Sequence, residues 1–338
     1  MQRNGGHGVT IADEVSIKPG FMRVLDRKDL LRSACLAVAG AAMMVTGMPG
    51  VPASAAPSSE PWPVTLRAQM ARLTTIGFRL NHAAVEQCPR TSAAIGLTLD
   101  HIGAYPQGDR PAVAQLLGMD DAPQVAGVAT GGPADVAGVK VGDDLISIDG
   151  RKVSDIVAAM PKGALVSDEL EQRLAQLPAT APIRLGLRRG GDDIAVAVQP
   201  LQACAARYVI KTDGGIDAFS DAENVAISSK LIAFTANDDE LALIAGHELG
   251  HIAHQDGDAG SITQRRAMED RADITGLHFA ACAGFDPEAG LQFWLRRERQ
   301  DMLRWFRDPT HRSRTERVKL MREEIPKVHC PFSQPASG

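Results

Sequence analysis

The residues best suited to metal binding or catalysis are two histidines, His247 and His251, with a glutamate directly after the first. Residues four apart on a helix share one face at a separation of about 6 Å, so both imidazoles can bind a single metal ion. The carboxylate of Glu248 would then stand beside the metal, where it can take a proton from a coordinated water. This His-Glu-x-x-His spacing predicts a metal centre that carries its own general base.

A catalytic metal centre of this type needs a third protein ligand, and the next helical stretch offers Glu269. Glu269 and Asp273 are one helical turn apart, so Glu269 can reach the metal while Asp273 accepts the far N–H of a ligand histidine. Two histidines, one glutamate and an open position for water describe a catalytic zinc site, since four side chains would close a structural one. We therefore expect one Zn²⁺ ion per chain, bound by His247, His251 and Glu269.

Two further histidines near this motif are not expected to bind the metal. His254 lies about 10 Å along the helix axis from His247, which favours a polar or supporting role. His278, on the following helix, is expected at a packing or surface position.

A helix must hold these ligands, and residues 237–255 show the signals of one. Asn237 is expected to cap its start, with Glu240 three positions later and further acids in the first turn. Apolar side chains then recur at helical spacing, as at Leu241 and Ile244. The two histidines are therefore predicted to lie on one helix.

These motifs together resemble one family. The HELGH segment at 247–251, the E-x-x-A-D element at 269–273 and the Ala-Gly-Phe-Asp-Pro segment at 283–287 resemble the HtpX-like, CAAX-prenyl-protease and BepA-like family of metallopeptidases, which are gluzincins, in its soluble envelope branch. The resemblance covers about residues 205–325. It implies a mainly helical zincin-type domain with a small antiparallel sheet, and zinc-dependent hydrolysis of peptide bonds with Glu248 as general base.

The same resemblance implies roles for two further segments. Residues 215–219 resemble the family's N-A-F element, with aspartate in place of asparagine, and the strand after them would line the cleft and pair with substrate backbone. Thr310 and His311 resemble its T-H-P…R element, with Arg312 in place of proline and Arg317 as the final arginine. His311 would act near the zinc, as an auxiliary ligand or transition-state contact, and Arg317 would hold that segment. The implied substrate strand comprises Val225, Ala226, Ile227 and Ser228.

Upstream of this region the pattern changes to short apolar runs interrupted by glycine and aspartate, which indicates a small β domain. Residues 131–150 predict one helical turn that ends at Gly138, an apolar strand, and a hairpin at Asp149-Gly150. This passage resembles the PDZ domain of bacterial envelope proteases, and the resemblance extends over about residues 93–200.

The PDZ resemblance implies a peptide-binding groove. A peptide would add as a strand beside residues 95–98, and a helix at 168–177 would form the other wall. Such a groove would recruit protein or peptide substrates by their exposed or C-terminal segments. The alternative is a PDZ fold that only packs against its neighbour. The implied groove residues are Ile95, Gly96, Leu97 and Thr98.

The N-terminal region has the features of an export signal. Basic residues precede a short, Gly/Ala-rich apolar stretch at 34–45, and the small residues at 53–56 form an A-x-A cleavage signal. We expect Sec-dependent export with cleavage after Ala55, which would place the protein in the bacterial periplasm. The alternative is an uncleaved anchor in the inner membrane, although the apolar stretch is shorter than the about 20 residues of a typical span.

Cys35 belongs to this predicted signal, and four cysteines remain: Cys88, Cys204, Cys282 and Cys330. An even number suits disulfides in an oxidising compartment. Three pairings are open, and we favour Cys88 with Cys204 and Cys282 with Cys330, because each bridge would then close one domain. Four buried free thiols are the alternative.

The composition limits the classes of protein and partner. The chain has 338 residues, of which 44% are hydrophobic and 23% charged, and this excludes disordered, collagen-like and multi-span membrane proteins. A formal net charge of -5 gives no electrostatic reason to expect nucleic acid as the partner. The basic run at 296–322 is interleaved with acids, so a solvated helical face is expected, with contact to an anionic membrane surface as the alternative.

The sequence as a whole predicts an α+β protein, with a PDZ domain of sandwich or barrel type before the metallopeptidase domain. Its expected function is zinc-dependent cleavage of misfolded or exposed envelope proteins that the PDZ domain recruits. The alternative is a periplasmic peptide-binding or chaperone-like protein with a latent peptidase site. The predicted divisions are a signal or anchor at 1–55, a linker and helix at 56–92, the PDZ domain at 93–200 and the metallopeptidase domain at 201–338.

Overall fold

The computed structural model describes residues 60–300 and 312–330, except for the side chains of 298–300. The predicted export signal at 1–55 and His311 lie outside the described residues. The described part combines helices with three β-sheets, which confirms the predicted α+β class. Within it, no helix is both long and apolar enough to span a bilayer.

The first described helix, α1, spans Trp62–Ala83. Proline suits the first turn of a helix, since its missing N–H would have no helical partner there, and Pro63 occupies that turn. Leu73, Ile76 and Leu80 recur at helical spacing and are buried in one hydrophobic core with the C-terminal helices. The helix that the sequence analysis grouped with a linker is therefore part of the core around the metal ligands.

A β domain with short helices follows α1. Its main sheet has the strand order β2-β3-β4-β6-β7, with β5 paired to β4, and all of these pairings are antiparallel. Asp149 and Gly150 have φ angles of 48° and 79° and form the tight turn between β4 and β5, as predicted. In chain order the elements are β1 (Thr91–Ala94), β2 (Leu97–Asp100), α2 (Arg110–Leu117), β3 (Gln124–Val128), α3 (Pro133–Val136), β4 (Asp144–Ile148), β5 (Arg151–Lys152), α4 (Val153–Ala158), α5 (Val166–Ala175), β6 (Ile183–Arg189), β7 (Asp192–Val198) and β8 (Leu201–Cys204).

The C-terminal part is mainly helical and contains a small sheet. Its strand order is β10-β11-β9, in which β11 runs antiparallel to β10 and parallel to β9. The sheet therefore contains one antiparallel and one parallel pairing, whereas the sequence analysis expected a small antiparallel sheet. The elements are β9 (Arg207–Lys211), β10 (Ala218–Ser220), β11 (Asn224–Ser228), α6 (Ser229–Phe234), α7 (Asp238–Ala253), α8 (Ile262–Cys282), α9 (Pro287–Gln300) and α10 (Arg314–Glu324).

Two disulfides have the pairing that the sequence analysis favoured. Cys88 and Cys204 are bridged with a Cα–Cα distance of 5.5 Å, and Cys282 and Cys330 with one of 5.2 Å. The first bridge lies beside the antiparallel pair β1–β8, and Cys204 is buried in the C-terminal core. It therefore closes the β domain at its base and joins it to the second domain.

A buried polar cluster attaches the β domain to α1. Arg67 of α1 donates hydrogen bonds to Asp100 at 3.0 Å and to Gln124 at 2.8 Å. The hydroxyl of Tyr105 donates to the same Asp100 carboxylate at 2.6 Å. Loss of one partner would leave a buried charge uncompensated, so this cluster holds the β domain in one orientation on the helix.

Candidate metal centre

Helix α7 carries the two histidines and lies in the middle of the C-terminal core. Asn237 caps it by accepting a hydrogen bond from the N–H of Glu240 at 2.9 Å, as predicted. Glu240 is itself buried and forms an ion pair with Arg296 of α9. Most residues of the helix are buried, so the histidines are held on rigid backbone rather than on a loop.

Helices α7 and α8 approach each other closely because a glycine of each faces the other. A Cβ atom on Gly246 would lie 2.6 Å from the carbonyl oxygen of Gly276. A Cβ atom on Gly276 would lie 2.5 Å from the carbonyl carbon of Gly246. Since no larger residue fits here without moving a helix, the two glycines permit the crossing that brings Glu269 and Asp273 to the histidines.

The three predicted ligands converge on one point. The Nε2 atoms of His247 and His251 are 3.2 Å apart, and Oε2 of Glu269 lies 3.3 Å and 3.5 Å from them. A tetrahedral zinc ion with bonds of about 2 Å separates its ligand atoms by about 3.3 Å. His247, His251 and Glu269 therefore fit a zinc ion in both donor type and spacing, and they could hold one.

The distal nitrogen of His247 is held by a carboxylate, as the sequence analysis predicts for Asp273. His247 Nδ1 lies 2.8 Å from Asp273 Oδ1, and Arg317 of α10 donates from Nε to Oδ2 at 2.7 Å. Burial raises the pKa of Asp273, but Arg317 and His247 outweigh it, so the pKa lies well below its usual range. An ionised Asp273 keeps the proton on Nδ1 and leaves Nε2 free to face a metal.

His251 has an equivalent partner that the sequence analysis missed. Its Nδ1 lies 2.9 Å from Oδ2 of Asp256, which also forms an ion pair with Arg271 of α8. Asp256 follows the end of α7, where Gln255 has a φ of 53° and turns the chain back. An acid just beyond a ligand helix was the available signal, but helical periodicity does not place a residue outside the helix.

The electrostatics of the site favour a cation. Burial lowers the pKa of His247, yet hydrogen bonds to Asp273 and Glu269 outweigh it and raise the pKa to about 9. The pKa of His251 is raised in the same sense, because Glu269 and Asp256 oppose its burial. Three carboxylates surrounding two imidazoles thus stabilise positive charge at this position.

The predicted general base is buried beside these ligands. Glu248 accepts a hydrogen bond at Oε2 from the hydroxyl of Ser220, at 2.9 Å. Ser220 is the last residue of β10 and was not identified from the sequence, although it directly follows the segment 215–219. Strand β10 therefore lies next to the reactive carboxylate.

The predicted substrate strand lies in the centre of its sheet and not at an edge. Val225, Ala226, Ile227 and Ser228 belong to β11, which pairs with β10 on one side and with β9 on the other. All four residues are buried, so no edge of this strand can pair with a peptide, and the prediction is wrong. Among the described strands of this sheet, β10 and β9 form the edges, and β10 is the edge beside Glu248.

The predicted PDZ groove residues lie at the start of β2, the edge strand of the main sheet: two precede the strand and two are its first residues. Gly96 has a φ of 72°, a conformation that favours glycine, and it lies against Phe78 of α1. Ile95 is buried, whereas Leu97 is half-buried. The hydroxyl of Thr98 is bonded to that of Thr74 of α1 at 2.8 Å. Helix α5 packs beside β2, as the groove requires.

Comparison with known proteins assigns both domains. Residues 187–264 match the model of peptidase family M48, and residues 93–165 match that of the PDZ domain. The chain matches an M48-family metallopeptidase with a PDZ domain. The M48 match contains His247, Glu248 and His251, and it ends before Glu269.

Solved structures with similarity to parts of this chain include a PDZ domain and an HtrA-type protease. The PDZ domain of HtrA3 bound to a phage-derived ligand (FGRWV) is 21% identical, with a TM-score of 0.25, and the match covers 33% of this chain and 88% of that one. The HtrA-type protease AlgW with a decapeptide is 20% identical, with a TM-score of 0.24, over 32% of this chain and 29% of that one. A variant of AlgW with a decapeptide is 18% identical, with a TM-score of 0.25, over 38% and 32%. The match thus spans about a third of the AlgW chains, and no curated protein matches the sequence.

The other histidines near the M48 motif lie outside the ligand group. His254 is exposed, and its Nε2 lies 2.8 Å from the hydroxyl of Thr275. His278 Nε2 lies 3.2 Å from a carboxylate oxygen of Glu324. Both are placed as the sequence analysis expects.

Part of the basic run at 296–322 forms ion pairs within the fold. Four arginines of its described part, drawn from α9, α10 and the segment before α10, form ion pairs with acids of other elements. These pairs are Arg296 with Glu240, Arg312 with Asp270, Arg317 with Asp273 and Arg322 with Glu288. Charges paired in this way contribute little to a basic surface for anionic lipid.

Proposed function

We propose that this protein is a zinc-dependent endopeptidase of the bacterial periplasm that cleaves misfolded or exposed segments of envelope proteins. The observation that carries the proposal is the set of three ligand atoms at 3.2–3.5 Å from one another, with Glu248 buried beside them. Within the described residues the group consists of His247, His251 and Glu269. Three protein ligands leave a position open for water and substrate, as in catalytic zinc sites.

The chain's own residues divide the chemistry between them. A zinc ion at this site would supply Lewis-acid polarisation of the scissile carbonyl. Glu248 accepts a proton from the attacking water on its carboxylate and returns it to the leaving amine. The hydroxyl of Ser220 restrains that carboxylate by donating to Oε2, and Oε1 remains as the second oxygen that can accept the proton. Asp273 and Asp256 keep both imidazoles in the tautomer that presents Nε2.

The substrate would lie extended along β10. Among the strands that the structure describes, β10 is an edge of its sheet, and an edge strand offers unpaired backbone groups to a peptide. Because Ser220 at its end contacts Glu248, a peptide that pairs with β10 would carry its backbone past the general base. Phe219, which is 47% exposed, would contact the side chains of such a peptide.

The PDZ domain would recruit the substrate before cleavage. Its groove lies between the edge strand β2 and helix α5, where an extended segment can add to the sheet. Unfolded proteins present such segments, whereas folded ones bury them. This supports misfolded or exposed envelope proteins as the substrate class.

Cleavage of an unfolded protein by the purified chain tests the activity. We expect wild-type protein to degrade reduced casein, and chelator to stop the reaction until zinc is added back. Glu248→Gln should retain zinc and lose at least about 10²-fold in rate, because only the proton acceptor is removed. Equal rates for wild type and Glu248→Gln would sink the enzyme proposal. Binding of casein without cleavage by wild type would favour a chaperone-like role.

The proposed location has a separate test. Mass spectrometry of the exported protein should find an N-terminus near Ala56, since cleavage is predicted after Ala55. A membrane-bound protein with an intact N-terminus would instead establish the anchored form.

A further inference from the structure

The edge of the PDZ groove is occupied by a side chain of the domain itself. The N–H of Leu99, on the edge strand β2, donates a hydrogen bond to Oε1 of Glu171 on helix α5, at 2.7 Å. Strand β2 ends the sheet within the described residues, so this N–H is one that an added peptide strand would use. The carboxylate of Glu171 therefore stands where a peptide carbonyl would stand.

Above about pH 7, the carboxyl group of Glu171 carries negative charge in a confined position. Burial raises its pKa to about 7, although the Leu99 N–H and Arg207 act in the opposite direction. Asp168 and Asp100 add like charge. Arg207, which acts on Glu171, is paired with Asp168 at 3.0 Å, and Asp100 is paired with Arg67 at 3.0 Å. The groove wall thus has an excess of acidic groups.

A peptide that adds to β2 would remove the hydrogen bond between Leu99 and Glu171. Its backbone carbonyl takes the Leu99 N–H, and Glu171 loses the donor that it has in the empty groove. A half-buried carboxylate without a partner is unfavourable, and a basic side chain of the peptide can restore the lost interaction. An acidic side chain at the same place would add to the repulsion from Asp168 and Asp100.

We propose that Glu171 is the specificity-determining residue of the PDZ groove, and that it selects extended peptides with a lysine or arginine facing α5. The inference rests on the proposed recruitment of peptides by this groove. The expected ligands of the groove are therefore extended peptide segments that contain a basic side chain, and not exposed segments of any composition.

Peptide binding to matched variants tests the inference. The probes are fluorescent pentapeptides with a free C-terminal valine, in which one lysine, leucine or glutamate is placed in turn at each of the other positions. Binding is measured by fluorescence anisotropy at pH 8 with the full chain carrying Glu248→Gln, so that no probe is cleaved. We expect one position where lysine binds about 10-fold more tightly than leucine, with glutamate weakest.

Two substitutions of Glu171 separate charge from shape. Glu171→Gln keeps an oxygen that can accept from Leu99 but removes the charge, so the preference for lysine should fall below about 3-fold. Glu171→Lys should reverse the preference toward glutamate. Glu169→Gln, which removes a charge from an exposed position of the same helix, should bind like the parent protein.

The outcomes distinguish this inference from the proposed function. An unchanged lysine preference in Glu171→Gln overturns the role of Glu171 while peptide binding stands. Absence of binding by every probe to every variant overturns both the selectivity and the recruitment by the PDZ domain. In either case the casein assay reports independently on the peptidase site.

Discussion

Two aspartates perform the same task for two histidines, but they reach the site from different places in the chain. Asp273 comes from a helix that crosses α7, and Asp256 comes from the turn that ends α7. Each accepts the Nδ1 proton of one imidazole and so directs the opposite nitrogen toward the metal position. The geometry of the ligands therefore depends on residues that do not touch the metal.

The role of Asp256 can be measured directly. Asp256→Asn should weaken zinc binding by about 10–100-fold, because the neutral amide stabilises the ligand form of His251 less well. Competition against a chromophoric zinc chelator measures the affinity. Asp258→Asn removes the same charge from an exposed position two residues on and should leave zinc affinity unchanged. Equal affinities for the two variants would contradict the assigned role.

Glu171 should also influence stability as a function of pH. Its pKa is about 7 in the folded protein and about 4.5 when unfolded, so the stabilisation from its bound proton is complete below about pH 4.5 and is lost as the pH rises through 7. Glu171→Gln, which has no charge to bury, should be more stable than wild type at pH 8 by about 1–2 kcal/mol, because the partial exposure of this side chain reduces the full effect of the pKa shift. Urea unfolding at pH 4 and pH 8 measures the difference, which should be near zero at pH 4. A difference that is the same at both pH values would contradict this assignment.

At the level of elements, the close crossing of α7 and α8 positions the third ligand. Gly246 and Gly276 allow the backbones of the two helices to touch next to His247. Glu269 lies two turns before Gly276 on α8. A wider separation of the helices would move Glu269 away from both imidazoles. The spacing of the ligand atoms is thus set by the absence of two side chains.

Substitution of one of these glycines should test that relation. Gly276→Ala places a methyl group against the backbone of Gly246 and His247, so we expect a loss of about 1–3 kcal/mol in unfolding free energy and weaker zinc binding. Denaturant unfolding and zinc titration measure the two effects. Gly257→Ala, at a position with open space around it, should change neither. A Gly276→Ala variant as stable as Gly257→Ala would show that the helices can separate without cost.

Sequence patterns predict where the helices and strands lie better than they predict which of these elements pack against each other. The signals at 237–255 predict α7 closely, because the Asn237 cap and the apolar spacing are local properties of the chain. The order of β10, β11 and β9 could not be derived in this way, since strand pairing depends on contacts between distant segments. For the same reason, no local pattern in residues 62–83 indicates that α1 belongs to the core around His247 and His251.

At the scale of the whole molecule, the β domain is inserted between α1 and the remainder of the peptidase core. Three features connect the inserted domain to that core: the Arg67 cluster, the Cys88–Cys204 bridge, and the ion pair of Arg207 on β9 with Asp168 on α5. The last of these lies between the PDZ groove wall and the sheet that contains β10. The two domains therefore have a continuous interface rather than a single linker.

Removal of the inserted domain's disulfide should have a large effect. Cys88 and Cys204 are separated by 116 residues, so their bridge restricts a long loop in the unfolded chain. The double substitution Cys88→Ser and Cys204→Ser should lower the unfolding free energy by about 3–5 kcal/mol. Urea unfolding of the variant and of oxidised wild type measures the loss. An unchanged midpoint would indicate that the interface alone supplies the constraint.

The position of α1 has a consequence for how the protein matures. All strands of the main sheet of the PDZ domain lie within 97–198, so this domain can form as soon as its own residues are available. The peptidase core instead needs α1 from the start of the described chain and α7 from beyond the PDZ domain. Newly made chains should therefore acquire a folded PDZ domain first and the core around His247 and His251 last. Such an order would leave the candidate metal centre unformed until the whole chain is available.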